Sequence, residues 1–195
     1  MLRKRGETTR AEIVRVAREQ INDSGSARTS VSAITKQAGV SRSLFYHYFK
    51  NLDEVLGAVL EDVIDDFIAE LQKWNEQRKR GDVAGSLESA ARLMRRLIAE
   101  DAKFSTGLLT GPNSSLCVLF MERMSRQISE YIAQTTVQDF AAHHEVKIDH
   151  VENTFYVLIS GMVSLIKTNP EISHEEVVRI AAQTLHLEEF LPEAD

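Results

Sequence analysis

The chain has 195 residues with 23 Lys and Arg against 29 Asp and Glu, a formal net charge of −6, and only one cysteine and three prolines. That length admits two modules but no large third piece, and the sparse prolines let long helices run, so an all-α architecture is expected. The lone cysteine, Cys117, excludes an internal disulfide and reads as a small buried hydrophobe in a reducing compartment. The basic start MLRKRGE leads into charged and polar residues rather than an apolar stretch. The richest apolar run, Phe155 to Ile166, is broken by Ser160 and Gly161 and is too short to span a bilayer, so neither export nor membrane insertion is expected.

In chain order, Thr9 and Glu12 make a capping box for a first helix to about Asp23, with Ile13, Ala17 and Ile21 on one face and Ser24 to Ser26 ending it. Residues 29–49, TSVSAITKQAGVSRSLFYHYF, spell a short helix, a glycine turn and a second short helix ending in aromatics. Thr29 or Ser30 can cap the first of these, with Val31, Ile34 and Ala38 at helical spacing. Gly39 supplies the positive φ that a tight reversal demands, and Ser41 can cap the next helix. Phe45 and Phe49, four apart, can bury against the preceding helix, which leaves Arg42, Ser43, Leu44 and His47 on the outer side. This is the pattern of a DNA-reading helix-turn-helix, with the second helix entering a groove.

Asn51 and Glu54 start another helix, whose apolar stripe runs from Val55 through Leu71 toward Trp74. Residues 76–82 read as a helix end and loop, followed by a helix carrying Leu87, Ala90, Ala91, Met94, Leu97 and Ile98. Gly107 to Ser115 mark a second break, after which Cys117, Met121, Met124, Ile128 and Ile132 repeat at helical spacing. A helix over 146–168 is expected, apolar nearly all round at its centre and therefore buried on more than one side. Asn169 and Pro170 end it, and Ser173 with Glu176 caps a last helix bearing Val177, Ile180, Ala181, Thr184 and Leu185.

Charge is unevenly placed. Residues 1–60 hold ten Lys and Arg against six acids, a balance of +4, which leaves −10 for the remainder. A basic head on an acidic body would orient itself on a duplex and bind in a salt-sensitive way. The rival chemistry is metal binding or catalysis, suggested only by His143, His144, Asp149 and His150. Their spacing is not that of a helical ligand set, and there is no nucleophile elbow, phosphate-cradling glycine loop or dinucleotide fingerprint. No enzyme activity, metal or cofactor is expected.

The segment Ala38, Gly39, Val40, Ser41, then Tyr46, Tyr48 and Phe49, followed by Lys50, Asn51, Leu52, Asp53, Glu54, Val55 and Leu56, closely resembles the amino-terminal domain of the tetracycline-repressor (TetR) family of bacterial regulators. The resemblance covers about the first third of the chain. It implies a cytoplasmic DNA-binding regulator, by default a repressor, with a helix-turn-helix domain over 1–52 and a helical effector-binding and dimerisation domain over 53–195. Two departures fall where the family touches nucleic acid: Leu52 replaces a common lysine, and Leu44 a small hydroxyl residue.

The expected DNA contacts are Arg42 and Ser43 to base edges or phosphates, Leu44 as an apolar base contact, and Tyr46, His47, Tyr48 and Lys50 chiefly to phosphates. Thr29 and Ser41, at the starts of the two short helices, complete the set. The resemblance further implies that the last two helices pack against a two-fold mate as a four-helix bundle. Leu158, Gly161, Met162 and Leu165 would then be central on one helix, and Val177, Ile180, Ala181 and Thr184 on the other; closure of the monomer's own core is the alternative. It also implies a small-molecule pocket. Trp74, Met94, Phe104 and Phe120, with Met124, Phe155 and Tyr156, suit an apolar or aromatic effector, or else are plain core. Two recognition helices related by a two-fold axis would read an inverted repeat with half-sites about 34–36 Å apart, or a multiple of that. An alternative keeps the helix-turn-helix as a protein-interaction module with little DNA affinity.

Overall fold

The computed structural model describes residues 2–24, 28–100 and 114–192, and among these every regular element is helical. In order they are α1 (Leu2–Ser24), α2 (Val31–Ala38), α3 (Arg42–Tyr48), α4 (Leu52–Gln77), α5 (Val83–Arg95) with a π-helical turn Arg96–Glu100, α6 (Ser114–Gln134), α7 (Thr136–Ala141), α8 (Val151–Thr168) and α9 (His174–Leu185), followed by a 3-10 turn Glu188–Phe190. No helix among the described residues is long and apolar enough to cross a membrane. The chain divides into two compact units within α4, the described residues of Met1–Asp65 with those of Ala102–Phe120, and Asp66–Asp101 with Met121–Asp195.

Local chemistry sets most of the helix ends. The Ser30 hydroxyl accepts from Ala33 N at 3.2 Å and starts α2; Gly39, at φ 65°, closes it; and Ser41 accepts from Leu44 N at 3.1 Å to start α3. At the head of α4 the capping box is reciprocal, with Glu54 N donating to Asn51 Oδ1 at 2.9 Å and Lys50 N donating to a Glu54 carboxylate oxygen at 2.6 Å. Ser173 caps α9 by accepting from Glu176 N at 3.0 Å.

Two boundaries differ from expectation, and one break, between α6 and α7, had no counterpart in the sequence pattern. Helix α1 begins at Leu2 rather than near Thr9, because Arg, Lys and Glu are good helix formers and extend it upstream. Helix α6 ends at Gln134, and α7 restarts after Thr135, whose hydroxyl turns back to Tyr131 O at 2.7 Å. The helix expected from Val146 begins only at Val151: residues 146–150 form a loop that ends at His150 in the left-handed region, φ 50°.

The core of the first unit gathers Ile13, Val16, Ala17 and Ile21 of α1, Ile34 of α2, Phe45 of α3 and Val55 and Val59 of α4, several with no exposed surface at all. In the second unit Ala91 of α5, Met162 and Ile166 of α8, Ile172, and Val177 and Val178 of α9 form a buried cluster. Arg95 of α5 pins the turn between α8 and α9 by donating to the carbonyls of Pro170, at 3.4 Å, and Ile172.

Candidate functional site

Two regions carry recognisable chemistry, the outer face of α3 and a cavity inside the second unit. Helix α3 is anchored by Phe45, which is fully buried, and by Phe49 just beyond its end, 3 % exposed and with its ring centroid 5.9 Å from that of Phe45. The Arg10 guanidinium of α1 lies 5.0 Å over the Phe49 ring and fastens the far end of the aromatic pair. With that side committed to the core, Arg42, Ser43, Leu44, Tyr46 and His47 all face outward, Leu44 at 37 % and Tyr46 at 55 % exposure. Tyr48 is half-buried with its ring edge against His47, 5.0 Å between centroids. Lys50 is open to solvent, 3.8 Å from the Glu54 carboxylate. Ser41 spends its hydroxyl on the α3 amide. Thr29 is buried at 6 % exposure and so does not share this outer surface. What α3 presents is a row of donors, one cation and one exposed leucine on a rigid short helix, which suits a groove edged by phosphates.

The cavity, about 240 Å³, lies wholly within the second unit, between α4, α5, α6, α7, α8 and α9. Of the residues expected to line a pocket, Trp74, Met94, Met124 and Phe155 do. Phe120 is buried at 2 % exposure and is not among the lining residues, and Tyr156 instead sits under the Arg126 guanidinium, 5.5 Å from its ring. Phe104 lies outside the described residues.

Leu158 and Met162 of α8 and Val177 and Ala181 of α9, which the resemblance implies for a dimer seam, line this cavity within the single chain. Met162 and Val177 belong to the unit's own buried core, at 3 % and 2 % exposure. Leu165, Ile180 and Thr184 are half-buried, the first two packed on that core, while Gly161 is exposed. The apolar face that α8 leaves open is that of Val157, 66 % exposed, with Gly161 and Ser164.

Sequence periodicity missed the polar end of the cavity. Arg78, just past α4, has a side chain only 6 % exposed and donates to Asp139 of α7 at 2.7 Å and to Asn75 at 2.8 Å. Trp74 donates its indole N–H to Ser89 at 2.9 Å, leaving its ring apolar toward the cavity. His144 is held in an aromatic cluster, its ring 4.9 Å from Phe140 and 5.1 Å from Phe190. Lys147, on the same wall, donates to Glu189 at 2.8 Å, and that carboxylate holds its ammonium above the ordinary lysine range. Among the described residues no group of three or more His, Cys, Asp or Glu is placed to hold a metal ion.

Residues 13–59 match a family model described as bacterial regulatory proteins, tetR family. Over 62 residues, 32 % of the chain, the sequence is 34 % identical to the fatty acid metabolism regulator protein of Bacillus subtilis (strain 168), and this match spans about a third of that protein's length. Among solved structures, RolR in complex with the ligand resorcinol aligns with a TM-score of 0.62 at 18 % identity, over 96 % of this chain and 93 % of that one. The fatty acid degradation regulator FadR from Bacillus halodurans aligns with a TM-score of 0.61 at 16 % identity, over 90 % and 93 %. At those identities the likeness is one of fold, and it extends over nearly the whole chain.

Proposed function

We propose that this chain, whose residues 13–59 match the tetR family of bacterial regulatory proteins, is a ligand-responsive repressor that binds an inverted-repeat operator as a homodimer. The observation that carries this reading is α3 itself: its buried aromatics fix its orientation, and the outward residues Arg42, Ser43, Leu44 and His47 are those a major groove would meet. Residues 1–52 act as the reading head and 53–195 as the effector-binding and dimerisation domain. The +4 balance of residues 1–60 attracts phosphates, and the acidic remainder keeps the rest of the chain off the duplex.

For the effector, support comes from the apolar cavity and from a structural neighbour whose name speaks of resorcinol. Helix α4 carries the coupling, because it contributes Val55 and Val59 to the core around α3 and Phe67, Leu71 and Trp74 to the cavity wall. A ligand acts only if it binds one conformation of that helix better than the other.

The test is to enrich duplexes from a randomised library with purified protein and then replace Arg42. Arg42→Ala is expected to weaken the enriched duplex by about 1–3 kcal/mol and to relax preference at one position of each half-site, read by fluorescence anisotropy on single-base variants. Unchanged affinity and preference would remove Arg42 from the interface. A helix-turn-helix kept for protein contacts, which Leu44 and Leu52 would suit, predicts no enriched duplex at all.

A further inference from the structure

The charges around the cavity say what it admits. Arg78 is already neutralised by Asp139 at 2.7 Å, Lys147 by Glu189 at 2.8 Å, and Asp82 spends its carboxylate on the Gly85 amide at 2.9 Å at the head of α5. Thr136, also in the lining, donates to Asn75 at 3.0 Å. An anionic head buried here would meet no lysine or arginine that is not already paired, and only the Ser86 hydroxyl and the imidazoles of His143 and His144 would remain to replace its lost hydration.

The same end of the cavity is covered by the chain's last described turn. His186 reverses direction in the left-handed region, φ 55°, Leu187 drops into the cavity lining, and Phe190 stacks edge-on against Phe140 and His144, 6.0 and 5.1 Å between centroids. Phe140 and His144 line the cavity, whereas Phe190 does not, so Phe190 backs the wall from outside. Leu191 packs on the core cluster of α5, α8 and α9, and Glu189 ties the segment to Lys147. Residues 186–191 are tied back to α9 by Leu187 N donating to Ala182 O at 2.8 Å, and they meet α7 and the 146–148 loop through the Phe190 ring and the Glu189–Lys147 pair of exposed side chains.

We propose that the ligand of this cavity is an uncharged, apolar molecule, and that it passes in and out beneath a carboxy-terminal strap, residues 186–191, latched by Phe190 and Glu189. This rests on the effector reading above. Because Phe190 holds the strap and does not line the cavity, weakening it lowers the barrier in both directions and leaves the bound state nearly unchanged.

The full-length protein is tested with two dyes of similar ring framework, neutral N-phenyl-1-naphthylamine and anionic 1-anilinonaphthalene-8-sulfonate, by equilibrium and stopped-flow fluorescence. The neutral dye is expected to bind at least about tenfold more tightly than the anion. Phe190→Ala is expected to raise its association and dissociation rates together, on the order of tenfold, with little change in Kd. Glu189→Gln, which removes an exposed charge and leaves the rings in place, should raise both rates roughly twofold.

Equal affinity for the two dyes would overturn the uncharged class. Rates unchanged in Phe190→Ala, or a change in dissociation alone, would overturn the strap. Filling the cavity with Ala90→Phe should abolish the signal. A signal that survives this change, or no binding of either dye, would overturn the effector reading itself rather than the strap.

Discussion

Phe45→Ala is expected to cost about 3–5 kcal/mol and, with it, all sequence-specific DNA binding. Phe45 is the largest side chain with no exposed surface in the first unit, and its loss leaves a hole in a core whose other members, Ile13, Ile34 and Val59 among them, are likewise fully buried. The ring also fixes the azimuth of α3: with Phe45 and Phe49 inward, Arg42, Ser43 and His47 must face out. Helix α3 has only seven residues and would not persist without that anchor. Hydrogen exchange on the full-length protein should show lost protection across residues 31–49 with α8 and α9 unaffected. Phe45→Leu, which keeps most of the volume, should recover much of the stability. Protection of α3 in Phe45→Ala equal to wild type would show that its orientation is held by something other than this ring.

Asp139→Ala should produce the second large effect, about 3 kcal/mol of destabilisation in the second unit, because it strands the Arg78 guanidinium in a position that is almost fully buried. Arg80 also reaches Asp139, at 3.4 Å, but its side chain is 78 % exposed and that pair adds little. The cost arises from the uncompensated cation, so pairing the change with Arg78→Met should return most of it. Denaturant unfolding of both variants decides the matter. A single variant within 1 kcal/mol of wild type would mean that Asn75, which already accepts from Arg78 at 2.8 Å, and water suffice to compensate the buried cation.

What could be read from the sequence follows the range of the interactions. The caps at Ser30, Ser41, Asn51 with Glu54, and Ser173 act over three residues, and each stands where the residue pattern puts it. So does Gly39, since only the positive φ closes α2 into α3 at that length. The outward face of α3 follows from two phenylalanines four apart. The cavity was legible only in part, because its polar end joins residues far apart in sequence: Arg78 meets Asp139 across 61 positions, and Lys147 meets Glu189 across 42. No periodicity announces such pairs. Helix α8 stayed ambiguous for a different reason. A helix apolar nearly all round gives no azimuth, so Leu158 and Met162 read equally well as seam or as core. The five residues before it failed as helix because Val146, Lys147 and Ile148 have tertiary work to do in the cavity wall.

On the proposed function, residues 1–60 deliver a paired recognition helix to a DNA inverted repeat. The most direct test is an anisotropy titration of the library-enriched duplex with full-length protein at 50 and 200 mM salt. With two phosphate-bound cations from each of two protomers, affinity should fall roughly a hundredfold over that range, and scrambling either half-site should abolish the tight complex. Salt-independent binding, or equal affinity for the scrambled duplex, would contradict the account and leave α3 as a surface for some other partner.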